Sequence, residues 1–322
     1  MQSWLHQALQ GHRASLGRAI TAVEENTSDA PAVLAAVYPL VGRAMVVGFT
    51  GAPGAGKSTL IAACIADAVG RGMSVGVIAV DPSSPVSGGS VLGDRIRMLA
   101  MASGKDVYVR SLAARGHLGG LSSASSRVVD VLDAAGKDVI FIESVGVGQS
   151  ETEISQLAHL TVLVCAPGMG DDVQMIKAGV LEMADVYAVN KADLPEAQRV
   201  IRQLQAAAHL APGAAPPVVA TSAATGEGVA KLMDVLVAAH AAKKAPVELE
   251  RVRRMRLTLQ SMAVQEMQRR VTKMDDTQMD RICQTVLSGQ ASFVGAVQEV
   301  LERAQELTPP AESVSIIQSK PS

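Results

Sequence analysis

The chain has 322 residues, 48% of them hydrophobic, enough for one large core with smaller appendages. A formal net charge of −2 and an aromatic content of 2% exclude a basic or base-stacking surface, so nucleic acid is not an expected partner. Cys64, Cys165 and Cys283 lie too far apart for a disulfide framework or a metal-ligand spacing; the N-terminus has no signal-peptide pattern, and no apolar run nears the roughly 20 residues of a membrane span, so a reducing, cytoplasmic, membrane-free setting is expected.

Residues 1–42 read as an N-terminal extension of two or three helices. Trp4, Leu5, Ala8 and Leu9 share one face, and Leu16, Ala19, Ile20 and Val23 another. Ser28 and Asp29 ahead of Pro31 predict an N-cap. From Met45 onward, apolar strands at 45–50, 75–81, 107–111, 139–144, 161–166, 186–190 and 217–222 alternate with helical stretches. Most are rich in Val and Ile with no polar alternation, which marks a sheet covered on both faces. The pattern predicts an α/β domain over 43–245, a doubly wound, mostly parallel sheet with its ligand at the carboxyl ends of the strands. Beyond Pro246 the chain turns to Arg, Met, Gln and Glu. Helices are expected at 247–273, 275–288 and 290–306, giving a C-terminal helical arm over 246–307 and a disordered tail over 308–322. Leu257, Met262, Val264 and Val271 in the arm call for a partner surface, so a homodimer through the arm is expected.

The stretch Met45–Leu60 organises the rest. An apolar strand runs into Gly51-Ala52-Pro53-Gly54-Ala55-Gly56-Lys57-Ser58, with Thr59 next and good helix formers after it. This fits the phosphate-loop pattern G-x-x-x-x-G-K-[ST]. Glycines let the backbone turn its N–H groups inward as an anion nest, and the following helix points its positive end at the same place. Lys57 can reach the β- and γ-phosphates, and the Ser58 hydroxyl can ligate Mg²⁺.

Two carboxylates end neighbouring candidate strands. Asp81 can hold Mg²⁺ directly or through water, or cap a turn. Glu143, in Glu143-x-x-Gly146, stands where most GTPases have Asp, and Gly146 can offer its N–H to the γ-phosphate. Gln149 lies just beyond and can place a water or make a loop hydrogen bond. Asn190-Lys191-Ala192-Asp193 has the N-K-x-D form that reads guanine. The Asp193 carboxylate accepts from the purine N1–H and exocyclic amine together, Asn190 bonds the base edge, and the Lys191 stem packs over the ring. Thr221-Ser222-Ala223-Ala224 closes the last strand and offers backbone N–H to the guanine oxygen. GTP and GDP, with Mg²⁺, are therefore the expected ligands.

The segments VDPSSP, GGSVLGDRIRM, HLGG, ESVGVGQSE, VNKAD and TSAATGEG resemble the methylmalonyl-CoA mutase-associated GTPases, densely over about residues 40–240. That resemblance implies a GTP-hydrolysing chaperone that loads, protects or reactivates an adenosylcobalamin-dependent acyl-CoA mutase. It implies that Asp81, Asp94 and Glu143 serve the Mg²⁺ site and that Arg97 lies in a mobile switch. It also implies that Ala166–Lys177, with Asp171, Asp172, Gln174 and Lys177, senses the mutase. Departures are Ser111-Leu112-Ala113-Ala114-Arg115-Gly116-His117 before the glycine pair, and Met169 after Gly168.

Three rivals fit less well. A nickel-type metallochaperone GTPase calls for a His- or Cys-rich tract, and the six histidines are scattered. A signal-recognition-type GTPase calls for a methionine groove, but Met255, Met262, Met267, Met274 and Met279 form no single stripe, so core or dimer packing is expected of them. A transport-associated ATPase or small-molecule kinase needs a base for a hydroxyl acceptor, and none is identifiable.

Overall fold

The structure is a computed structural model that describes residues 3–81, 106–113, 123–143, 150–168, 183–208 and 215–306. Its centre is a parallel seven-stranded sheet in the order β3-β2-β4-β1-β5-β6-β7. The strands are β1 (Met45–Thr50), β2 (Val75–Asp81), β3 (Val107–Ala113), β4 (Val139–Glu143), β5 (Leu160–Cys165), β6 (Val186–Val189) and β7 (Val218–Ala220). All seven lie where the apolar runs put them. β3 extends to Ala113 because it pairs with β2 along its whole length, Asp81 opposite Ala113.

Every residue of β1 and β5 is buried, as expected for strands covered on both faces. On one face, Val47 and Phe49 of β1 meet Leu60, Ile61 and Cys64 of α4 (Lys57–Gly70) and Leu232, Met233 and Leu236 of α8 (Val229–Lys243). Phe49 and Phe141 meet edge to face at 5.6 Å between ring centres. The opposite face carries α5 (Ser123–Ala134), α6 (Ser150–Leu157) and α7 (Ala197–Ala208). Gly48 lets α6 sit close, since a Cβ there would lie 2.1 Å from Cγ2 of Ile154. Each fully buried Val, Leu or Ile contributes roughly 1.5–3 kcal/mol, and this two-sided core is the main source of stability.

The N-terminal helices α1 (Ser3–Leu9), α2 (Arg13–Glu25) and α3 (Ala30–Val37) add a layer over α5. Leu16, Ala19, Ile20 and Val23 are buried as their spacing predicts, and Arg127 of α5 donates to the carbonyl of Val23 at 2.9 Å. Asp29 takes the N-cap position of α3 but caps nothing with its side chain. Its carboxylate accepts from Arg18 instead, and a charge-assisted bond outcompetes a neutral N–H.

The C-terminal helices are α9 (Val247–Thr272), α10 (Asp276–Leu287) and α11 (Phe293–Glu306). α10 starts at 276 because Asp275 caps it, accepting from the Thr277 N–H at 3.3 Å. The chain divides into two compact units at Met255/Arg256, and the N-terminal helices belong to the first unit. The first two turns of α9 belong to it as well. Buried Glu250 and Arg254 bond there, Arg254 reaching Asp130 of α5 at 3.0 Å and Glu250 at 3.0 Å. The second unit has its own small core, in which Met274, Ile282, Ala296 and Ala304 are buried and Met267, Val271 and Met279 pack against them. Cys64 and Cys165 are buried in the first unit, and burial pushes the Cys64 thiol up to about 12; Cys283 on α10 is exposed.

Candidate nucleotide-binding site

The strand order reverses at β1, which stands between β4 and β5, and ligands of doubly wound sheets bind at such a switch point. The loop leaving β1 does so with three glycines in the left-handed region: Gly51 (φ 142°), Gly54 (φ 82°) and Gly56 (φ 86°). Two are also required sterically. A Cβ on Gly51 would lie 2.2 Å from the Val164 carbonyl oxygen, and one on Gly56 would lie 2.4 Å from Nδ2 of Asn190. Gly56 is the N-cap residue of α4 and has no side chain to cap with, so the first turn keeps its N–H groups turned to the loop.

Lys57 is buried, and its ammonium donates to the carbonyls of Gly51 at 2.8 Å and Ala52 at 3.2 Å. The side chain thus curls over the loop it belongs to, where an incoming phosphate can exchange for those carbonyls. Ser58, on the first turn of α4, donates from Oγ to Oε1 of Glu143. Glu143 ends β4, with Phe49 of β1 and Ala79 of β2 as its register partners, so the strand that bears Asp81 runs directly alongside. A hydroxyl and a carboxylate in contact at a helix N-terminus form a hard oxygen pair. That suits a Mg²⁺ ion, which takes one or two protein oxygens and completes its shell with phosphate and water.

The carboxyl ends of β6 and β7 carry the second half. Asn190 is buried, and its amide donates to the carbonyls of Ala55 at 3.0 Å and Gly56 at 3.4 Å, while its Oδ1 accepts from the Ala223 N–H at 3.0 Å. Lys191, with φ 56°, donates to the Gly54 carbonyl at 3.0 Å. The N-K-x-D turn is therefore fastened to the phosphate loop at three carbonyls. Asp193 is exposed on this turn. The Ala192 N–H bonds the Thr221 carbonyl at 2.9 Å and the Thr221 N–H bonds Val189 at 2.8 Å, which zips the β6 turn to the β7 turn. Since Ala223 gives its N–H to Asn190, the N–H left to meet a base oxygen is that of Ala224. Ser222 is buried, held by its N–H to Glu227 at 2.9 Å.

Of the residues singled out in the sequence, the structure joins Ser58 to Glu143, Asn190 and Lys191 to the carbonyls of Gly54, Ala55 and Gly56, and Asn190 to Ala223. Asp94, Arg97, Gly146, Gln149, Asp171, Asp172, Gln174 and Lys177 lie outside the described residues, as does the side chain of Asp81. Two supports were missed. Asp133 of α5 accepts from three successive backbone N–H groups, Gly42 at 2.7 Å, Arg43 at 3.2 Å and Ala44 at 3.0 Å, and so anchors the lead-in to β1. Gly228 (φ 75°) lets the turn after Ser222 fold back on β7, where a Cβ would lie 2.0 Å from the Ala220 carbonyl oxygen. The Gly226-x-Gly228 spacing was the available signal; nothing local marks Asp133.

The family model for the methylmalonyl-CoA mutase-associated GTPase MeaB matches residues 16–276. The chain belongs to the MeaB family. Among its relatives, a Pyrococcus horikoshii protein that carries the name of a GTPase is 48% identical over 231 residues, 70% of this chain and 73% of that one. The GTPase ArgK of Escherichia coli is 44% identical over 57% of each chain. The mitochondrial methylmalonic aciduria type A homolog of Mus musculus is 35% identical over 71% of this chain and 60% of its own. A crystal structure named as an LAO/AO transport system kinase superposes with a TM-score of 0.69 at 25% identity, over 94% of this chain and 96% of that one. This MeaB-family protein is thus a P-loop enzyme that binds guanine nucleotide and hydrolyses GTP. No described helix is long and apolar enough to cross a membrane.

Proposed function

We propose that this MeaB-family GTPase is a nucleotide-gated chaperone of an adenosylcobalamin-dependent acyl-CoA mutase, methylmalonyl-CoA mutase first and a related isomerase second. The observation that carries the reading is the family match over residues 16–276, supported by the likeness to the methylmalonic aciduria type A homolog. Ser58 and Glu143 would hold Mg²⁺, which supplies charge neutralisation on the phosphate oxygens. Lys57 holds the β- and γ-phosphates, and Asp193 with the Ala224 N–H reads the guanine edge. Glu143 begins the segment ESVGVGQSE, so a change at the metal pair is passed directly into the chain beyond β4.

The protein works as a cytoplasmic homodimer in this reading. Val264 (68% exposed) on α9, Leu287 (86%) on α10 and Phe293 (74%) and Val294 (78%) on α11 are large apolar side chains that a second copy would cover. Val271 packs inside its own unit and is not part of that surface.

The deciding experiment measures GTP turnover with and without the mutase of the native host. A mutase that favours the assembled site raises the rate and co-migrates with the protein in at least one nucleotide state. Asp171→Ala/Lys177→Ala should reduce that stimulation and leave the basal rate alone. If no host mutase changes the rate or co-migrates under any nucleotide, the chaperone reading fails and a kinase or transport role takes its place.

A further inference from the structure

At the amino ends of β1 and β5, the far end of the sheet from the phosphate loop, lies a cavity of about 250 Å³. Gly42, which leads into β1, and Ala158 and His159, which lead into β5, form its floor. Lys243 at the end of α8, Lys244 beyond it, and Glu250 and Arg253 on the first turns of α9 form the rest, with His240 of α8.

The lining sets three permanent cations against one carboxylate, and one oxygen of that carboxylate already meets three donors. Glu250 Oε1 accepts from Arg254 at 3.0 Å, from Arg253 at 3.3 Å and from the His159 ring at 2.9 Å. His159 is fixed as the Nε2–H tautomer, because its Nδ1 accepts from the Val46 N–H at 3.0 Å. Arg253 also holds the carbonyls of Gln156 at 3.0 Å and Ala158 at 3.3 Å, closing the end of α6. Lys243 pairs with Asp185. Two lining groups remain with capacity. Lys244 has no ion-pair partner among the described residues. The His240 ring, tilted 45° to that of His159 with 5.0 Å between ring centres, has no hydrogen-bond partner there either. Both can donate, Lys244 through its ammonium and His240 through one ring nitrogen.

We propose that this cavity is a second anion site, taking the phosphate group of a small ligand between Lys244, Lys243 and His240. A tetrahedral group with several acceptor oxygens matches donors that converge from two sides, where a hydrophobic ligand would leave the half-buried imidazole N–H unpaired. The volume far exceeds the ~30 Å³ share of one water, so a phosphate has room together with part of an organic ester. The site is separate from the nucleotide site and stands whether or not a mutase is the partner.

The test uses the full chain saturated with GDP, so that the phosphate loop is filled. Inorganic phosphate is titrated in one arm and glycerol 3-phosphate in another, at constant ionic strength with KCl, and binding is read by calorimetry and by the shift in Tm. Saturable binding of one phosphate group per chain is expected, weakened at least ~10-fold in Lys244→Ala or His240→Gln. Lys244 is exposed, so its variant should unfold at the wild-type Tm without ligand. Tighter binding of the ester assigns the site to esterified phosphate, and equal binding to the free ion. No saturable binding by the wild type, or binding that survives in both variants and therefore belongs beside the GDP, overturns the proposal.

Discussion

The Ser58 hydroxyl donates to Oε1 of Glu143 across the gap between α4 and β4, so the phosphate loop and the strand that begins ESVGVGQSE share one hydrogen bond. Glu143→Gln keeps the size and the acceptor but removes the charge. GTP turnover should fall ~10–100-fold with a matching rise in the Mg²⁺ concentration needed, while metal-free GDP affinity stays within a few-fold. A Mg²⁺ titration of turnover checks this; an unchanged midpoint would remove Glu143 from the metal site.

Lys57 is the buried cation of the glycine-rich loop. Lys57→Ala frees the carbonyls of Gly51 and Ala52 to water and takes away charge stabilisation of the transferring group, so turnover should fall by ~10²-fold or more in a folded protein. Circular dichroism with single-turnover hydrolysis is the check, and near-normal hydrolysis would refute the site.

Asp193 stands exposed on a turn whose neighbours are all fastened. Asp193→Asn exchanges an acceptor for a group that pairs with the extra oxygen of xanthine, so the protein should come to prefer XTP over GTP by ~10²-fold or more, with its fold unchanged. Competition titration of the two nucleotides decides it. An unaltered preference would mean that Asn190 to Asp193 only closes a strand.

Acid should lower the stability of the first unit in two pH windows. Burial, with His159 and Lys244 nearby, holds His240 down to about 4 from 6.5. The unfolded chain therefore binds that proton more readily, and stability is lost as pH falls from about 6.5 to 4. Burial opposes ionisation of Glu250, but the His159 hydrogen bond and the charges of Arg253 and Arg254 prevail and hold it at about 2. Its contribution is present above 4.5 and lost as pH falls from there toward 2. Asp130, which burial pushes up to about 6, acts in the opposite direction. The slope of Tm against pH should become less positive between 6.5 and 4 in His240→Gln and below 4.5 in Glu250→Gln; a variant curve parallel to the wild type in its own window contradicts the assignment.

Arg254 is 1% exposed and bonds Glu250 and Asp130, with Asp133 at 3.7 Å. Arg254→Ala strands Asp130, removes the cation beside Glu250 and Asp133, and should cost ~3–5 kcal/mol, read by urea unfolding. The same contact sets where the chain can be shortened. A stop after 245 removes Glu250 and Arg254 and should give a poorly folded product, whereas a stop after Met255 keeps them and should give a GTP-binding monomer. A Met255 truncation that stays dimeric in light scattering would place the dimer contact in the first unit.

The legible parts were those written in local pattern. Val- and Ile-rich runs gave all seven strands, and the glycine-lysine spacing gave the loop. The parts that were not legible depend on partners distant in sequence. Asp29 looks like a cap until Arg18 is near it. Asn190 looks like a base contact, and only the fold reveals that its amide is bound to Ala55, Gly56 and Ala223. The polar, helix-forming run after Pro246 reads as one uninterrupted arm. That its first two turns belong to the sheet domain follows from α5 presenting Asp130 to Arg254, a contact 124 residues away in sequence.

The placement of the cysteines has a practical consequence. Cys64 and Cys165 are enclosed in the core, and the Cys64 thiolate, the reactive form, is all but absent at neutral pH. Cys283 alone is open to reagent, on the unit that carries the candidate dimer surface. The natural chain thus arrives with its own attachment point for a fluorophore or spin label. A maleimide probe there gives a spectroscopic view of the second unit during nucleotide turnover, with no engineered substitution and with the nucleotide pocket left unlabelled.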